Sequence, residues 1–123
     1  MRAVRKEDLF GEADVVSVHL VLSGRTRGLI TERELRAMKP TAYLVNTSRG
    51  PIIDSAALLP ALSEGWIAGA GLDVYDTEPL PAGDPLRDAP RTLLTPHLGY
   101  VTARTMSHWY EDAVEGHRRL AAR

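Results

Sequence analysis

The chain reads as an α/β protein built on a parallel sheet, and three features of the sequence point there. Short apolar segments rich in β-branched residues alternate with segments of helical spacing. Strands separated by helices pair in parallel, through right-handed crossovers. The apolar segments also run almost unbroken, as strands buried on both faces do, so helices are expected to cover both sides of the sheet.

The elements follow in order. Residues 13–20 (ADVVSVHL) form the first expected strand. Thr31, with Glu34 three residues on, fits a capping box that opens a helix to about Met38. Lys39-Pro40 ends that helix, because the residue before a proline is driven from the helical region. Residues 42–46 (AYLVN) form a second strand, too apolar throughout to face water on one side. Asp54 caps a helix from Ser55 to about Ser63, and Gly65 is its natural stop.

Residues 67–74 form a third strand, whose small residues allow close packing against a helix. A proline-rich loop covers residues 75–90, and residues 92–94 form a short fourth strand ending at Thr95-Pro96-His97. The last helix starts at about Thr102. Its Met106, Trp109, Ala113, Val114 and Leu120 stand near helical spacing, a stripe read as core or interface.

Composition narrows the function classes. The 123 residues, 44% hydrophobic and 25% charged, are ordinary for one globular domain with a core of its own. A net charge of −1, with basic residues scattered along the chain, argues against nucleic acid or an anionic membrane as partner. No apolar run is long enough to cross a bilayer, and MRAVRKEDLF lacks the apolar middle of a signal peptide. With no cysteine, disulfides, thiolate metal sites and a cysteine nucleophile are excluded. No metal site is expected, and the expected compartment is the cytoplasm.

In an open α/β sheet, ligands bind beyond the carboxyl ends of the strands. Asn46-Thr47-Ser48-Arg49-Gly50 follows the second strand, Asp73-Val74-Tyr75-Asp76-Thr77-Glu78-Pro79 the third, and Thr95-Pro96-His97-Leu98-Gly99 the fourth. One rim thus gathers a guanidinium, carboxylates and an imidazole. Such a set could hold a carboxylate, polarise a carbonyl and move a proton. Taken singly, each residue also has a plainer role: Arg49 as a surface ion pair, Glu78 as a loop carboxylate, Asp73 as a turn cap.

Together, these blocks resemble the D-isomer-specific 2-hydroxyacid dehydrogenases. The resemblance rests on residues 45–50, on Gly71-Leu72-Asp73-Val74-Tyr75 with Glu78-Pro79-Leu80, and on Thr95-Pro96-His97-Leu98-Gly99. Residues 13–20, Thr26 and Gly28-Leu29-Ile30 match the preceding block. It implies a Rossmann-like fold: the C-terminal portion of a doubly wound NAD-binding domain, residues 1–123, without the first βαβ half.

The same resemblance implies that Arg49 holds the substrate carboxylate, where a forked guanidinium gives bidentate geometry. His97 would act as general acid/base, oriented by Glu78. Asp73 would bind the nicotinamide carboxamide, with His19, Thr47 and Gly99 lining the cofactor. The cofactor would be NAD or NADP, and the reaction hydride transfer between it and a D-2-hydroxy acid or 2-oxo acid. A fold-retaining interaction module without activity is the alternative. Formate-type enzymes, which pair the histidine with glutamine, fit Glu78 poorly.

No G-x-G-x-x-G run is present, and Gly69-Ala70-Gly71 lacks the third glycine. Weak or absent cofactor binding by this chain alone is therefore expected. With no strand before it, the first strand becomes an apolar edge, and a homodimer or aggregate through that edge, or the company of the missing part, is expected.

Overall fold

The computed structural model describes residues 3–121. Its four parallel strands are β1 (Val15–Val18), β2 (Tyr43–Asn46), β3 (Gly69–Leu72) and β4 (Thr92–Leu94), in the spatial order β1-β2-β3-β4. Helix α1 (Lys6–Glu12) precedes β1; α2 (Glu32–Ala37) joins β1 to β2, and α3 (Ser55–Ser63) joins β2 to β3. A long loop with a single 3-10 turn at Pro85–Arg87 leads from β3 to β4, after which α4 (Ala103–Ala121) closes the described chain.

Register decides which side chains share a face. Val16, Leu44 and Ala70 align across β1 to β3, followed by Val18, Asn46 and Leu72, and all six are buried. Against this face pack Leu35 of α2, Leu58, Ala61 and Leu62 of α3, and Phe10 of α1. The sequence reading passes over α1, because Leu9 and Phe10 in a single short stretch give no periodicity to detect.

The expectation of a sheet covered on both faces is corrected. On the opposite face Val15 is 57%, Tyr43 53% and Leu93 70% exposed. Topology supplies the reason. Each strand is added on the same side as the last, so right-handed crossovers deposit their helices on one face. Only a reversal of strand order brings helices to the other. The apolar second strand therefore does face water on one side, with the Tyr43 ring lying over Gly69. β1 stands at the sheet's end, the edge position expected for it.

The expected caps form. Thr31 donates its backbone N–H to Glu34 at 2.9 Å and its hydroxyl to the same oxygen at 2.6 Å, while Lys6 reaches the other carboxylate oxygen at 2.9 Å. Asp54 accepts from the Ala56 N–H at 3.0 Å. Gly65, with φ 75°, ends α3, and the Trp66 N–H returns to the Ala61 carbonyl at 2.9 Å. β1 and β3 are shorter at both ends than the apolar runs that announce them, although single backbone bonds flank the ladder, from the Ala68 N–H to the Ala42 carbonyl at 2.9 Å and from the Asp73 N–H to the Asn46 carbonyl at 3.0 Å. The stripe on α4 is not core: none of its residues is buried. No helix among the described residues is long and apolar enough to cross a membrane.

Candidate active site

The carboxyl rim of the sheet is assembled loop by loop. At the end of β2, buried Asn46 accepts from the Ser48 N–H at 3.0 Å and donates to the Arg49 carbonyl at 2.9 Å, closing a tight turn. The Ser48 hydroxyl ties that turn to the Val18 carbonyl of β1 at 2.7 Å. Gly50 then lets the loop press against the one after β3, since a Cβ there would stand 2.1 Å from the Tyr75 carbonyl carbon. Only glycine fits such an approach.

Beyond β3, the Asp73 carboxylate is 4% exposed and fully engaged on one side. It accepts from the Thr95 hydroxyl, from the Leu98 N–H at 3.0 Å and from the Gly99 N–H at 2.7 Å. It thereby grips the β4 loop on both sides of His97, whose φ of 55° lies in the left-handed region. Burial alone would push the Asp73 carboxyl up. The hydrogen bonds from Thr95, Leu98 and Gly99, together with nearby His97, outweigh it and hold the group below the usual aspartate range.

Glu78 pairs with His97, its Oε2 2.6 Å from Nδ1, and its Oε1 accepts from the Tyr75 N–H at 2.9 Å. The hydrogen bond to His97 is the main reason its carboxyl stays low, against the opposing effect of burial. With Nδ1 engaged, Nε2 is the ring nitrogen left to meet a ligand. Tyr75 is locked behind this pair. Its hydroxyl donates towards the carbonyls of Thr95 at 2.8 Å and Leu72 at 3.1 Å, and burial pushes its pKa up.

One cavity of about 570 Å³ collects most of these groups: Thr47 and Arg49 from the β2 rim, Asp73 from β3, His97 and Gly99 from β4, with Tyr100 and Trp109 beside them. Glu78 stands behind His97 rather than in the cavity wall. His19, at the same rim beyond β1, is exposed, bonds Ser17 Oγ at 2.8 Å and does not line this cavity. Sequence reasoning did not single out Asn46 or Tyr75. An asparagine at a strand end followed by Thr-Ser carried a signal for the first; nothing local did for the second. Trp109, expected in core or interface, is not core: it is 51% exposed and stacks on Tyr100 at the cavity.

A parallel α/β sheet with its polar site on the carboxyl rim defines a portion of a Rossmann-like nucleotide-binding domain. Residues 1–99 match the NAD binding domain of the D-isomer specific 2-hydroxyacid dehydrogenases, and the chain belongs to that family. It is 50% identical over 107 residues to a glyoxylate reductase of Thermofilum pendens, covering 87% of this chain and 32% of that protein. The crystal structure of a phosphoglycerate oxidoreductase from Vibrio cholerae superposes with a TM-score of 0.86 at 40% identity, over 98% of this chain and 38% of the other. A 2-hydroxyacid dehydrogenase from Lactobacillus delbrueckii in its NAD-complexed form gives 0.84 at 31% identity, over 97% of this chain and 40% of the other. The chain thus spans about a third of the length of the relatives it matches.

Proposed function

We propose that this chain carries the acid–base and substrate-anchoring part of an NAD(P)-dependent 2-hydroxyacid dehydrogenase, as the C-terminal portion of its nucleotide-binding domain. The observation that carries the reading is the convergence of Arg49, Asp73 and His97 on one cavity, with Glu78 behind the imidazole. Arg49 anchors the carboxylate of a 2-oxo acid through its forked donors. His97 Nε2 delivers the proton to the carbonyl oxygen as it becomes a hydroxyl, and takes it back in the reverse direction. Glu78 orients the ring and supports the imidazolium.

Asp73 has three donors already, which leaves lone-pair capacity for one more; the nicotinamide carboxamide N–H is the partner we assign to it. Thr47 and Gly99 complete the nicotinamide wall, and His19 lies further along the rim on the nucleotide side. The bound NAD(P) supplies the hydride. We assign the substrate as a D-2-hydroxy acid and its 2-oxo partner. We assign a homodimer in solution, supported by the place of β1 at the end of the sheet among the described residues, and light scattering tests it: a monodisperse monomer would count against it.

The functional reading is tested by titrating the chain with glyoxylate and following backbone amide signals of residues 97–99 by NMR. Saturable shifts that weaken on Arg49→Lys are expected. Shifts that ignore that substitution would refute the anchoring role.

A further inference from the structure

Helix α4 enters the site through one residue. Trp109 borders the same cavity as Arg49, Asp73 and His97. Its ring stacks on Tyr100 with centroids 5.4 Å apart and planes at 28°, and Tyr100 meets the His97 ring edge-on at 6.0 Å. A run of three rings therefore leads from the imidazole out to the indole. Trp109 and Tyr100 keep 51% and 48% of their surface exposed, so packing has not used up their faces. A residue placed for the core would be buried.

The chemistry of a 2-oxo acid says what these faces are for. Three groups leave its planar carbonyl carbon: the carboxylate, the oxygen and one substituent. On the functional reading above, on which this inference rests, Arg49 takes the first and His97 the second. Of the wall that this chain supplies, what remains is the part left for the substituent. Thr47, Asp73 and Gly99 present a hydroxyl, a carboxylate and backbone, which an apolar group avoids. Tyr100 and Trp109 are the aromatic part of the lining. Glyoxylate carries only hydrogen at that position and gains nothing from such a wall.

We propose that Trp109, backed by Tyr100, is a specificity-determining residue, and that the site prefers 2-oxo acids bearing an aryl or other flat apolar side chain over glyoxylate. Ring faces favour a flat partner by offset stacking on top of the area buried.

The test uses the full chain, with phenylpyruvate and glyoxylate as probes and the indole N–H signals of its two tryptophans as reporters. Trp66 is the internal reference: Arg36 lies over its ring at 3.5 Å and its Nε1 donates to Glu64 at 2.8 Å, apart from the cavity. Phenylpyruvate is expected to bind about tenfold tighter than glyoxylate, shifting the Trp109 signal and leaving that of Trp66 in place. Trp109→Ala, at an exposed helix position that opens no core cavity, should bring the affinity ratio close to one, and Trp109→Phe should restore most of it. Equal affinities in the unmodified chain, or a preference that survives Trp109→Ala, would overturn the specificity role while Arg49-dependent binding left the site itself standing. If neither acid binds, or Arg49→Lys weakens neither, the reading of the site falls and the specificity role falls with it.

Discussion

Replacing Gly50 by alanine adds one methyl group where the β2 and β3 loops touch, and the structure sets the size of the consequence. The new Cβ would lie 2.1, 2.4 and 2.6 Å from the Tyr75 carbonyl carbon, the Tyr75 oxygen and the Asp76 nitrogen. Carbon atoms rest at about 3.5–4.0 Å, so the loops must part by roughly 1 Å or more. All three obstacles are backbone atoms, so no side chain can swing aside. Overpacking of this kind costs about 1–3 kcal/mol, sometimes more, which for a domain of this size lowers Tm by roughly 4–12 °C.

The same displacement separates Arg49, next to Gly50, from the Tyr75–Glu78–His97 assembly on the other side. A single ligand can then no longer reach the guanidinium and the imidazole together at full strength, so 2-oxo acid affinity should fall with the melting temperature. Thermal unfolding by circular dichroism, paired with the glyoxylate titration, reads both. Gly83→Ala is the control, since nothing lies within 4 Å of its added Cβ, and it should behave as the unmodified chain does. If Gly50→Ala melts with the parent and binds as well, the two loops are not in contact and the cross-bracing of the site is disproved.

Other consequences can be checked alongside. Glu34 is held at about 2, from an ordinary 4.5; burial opposes this, and the hydrogen bonds from Thr31 and Lys6 and the Lys6 charge win. A depressed carboxyl stabilises above its unfolded pKa and loses that contribution as pH falls through the folded one. Glu34→Gln should therefore cost about 3 kcal/mol in urea unfolding at neutral pH, and progressively less towards pH ~2. A gap that does not change with pH would rule out the charge as its source. Asp73→Asn keeps one oxygen for Thr95 and Leu98 but sets its amide hydrogens against the Gly99 N–H, so a loss of roughly 1–3 kcal/mol is expected, with the Gly99 amide signal the most displaced. Unmoved signals there would contradict the clamp. Calorimetry with NAD should give weak or no heat of binding, for want of a glycine-rich turn to seat the pyrophosphate at a helix N-terminus; micromolar affinity would overturn that expectation.

Local chemistry was legible in the sequence, whereas global arrangement was legible only where topology followed from it. Thr31 with Glu34, Asp54 and Gly65 announce helix ends because each satisfies a backbone group within a few residues of itself. Four apolar runs announce strands, and their alternation with helices announces parallel pairing. The bare face of the sheet escaped, since Val15, Tyr43 and Leu93 are as apolar as their buried neighbours. What decides their exposure is strand order, which no window of residues contains. Helical spacing similarly puts Met106, Trp109 and Val114 on one side of α4, but periodicity names a face and not what it meets. At the site, Arg49, Asp73, Glu78 and His97 stood out as charged groups following strands. Asn46 and Tyr75 did not, because their work is to hold backbone from within the structure.

The bonding pattern divides the site into a fixed half and an adjustable half. His97 is held at its backbone through the Leu98 and Gly99 amides on Asp73 and at its ring by Glu78, which is itself pinned by the Tyr75 N–H. Each of these anchors is a carboxylate bound to main chain, so the imidazole has little freedom before any ligand arrives. Arg49 differs: its backbone is fixed by Asn46, but among the described residues its exposed guanidinium bonds only the adjacent Ser48 carbonyl, at 2.6 Å. A carboxylate offers that guanidinium two bonds to an opposite charge in place of one to an uncharged carbonyl, enough to draw it off the carbonyl. On the proposed roles, proton transfer is thus preorganised, while the anchor for the acid end adapts to the ligand. That order suits a site whose acid–base geometry is common to every 2-oxo acid and whose remaining contacts must follow the substrate's shape.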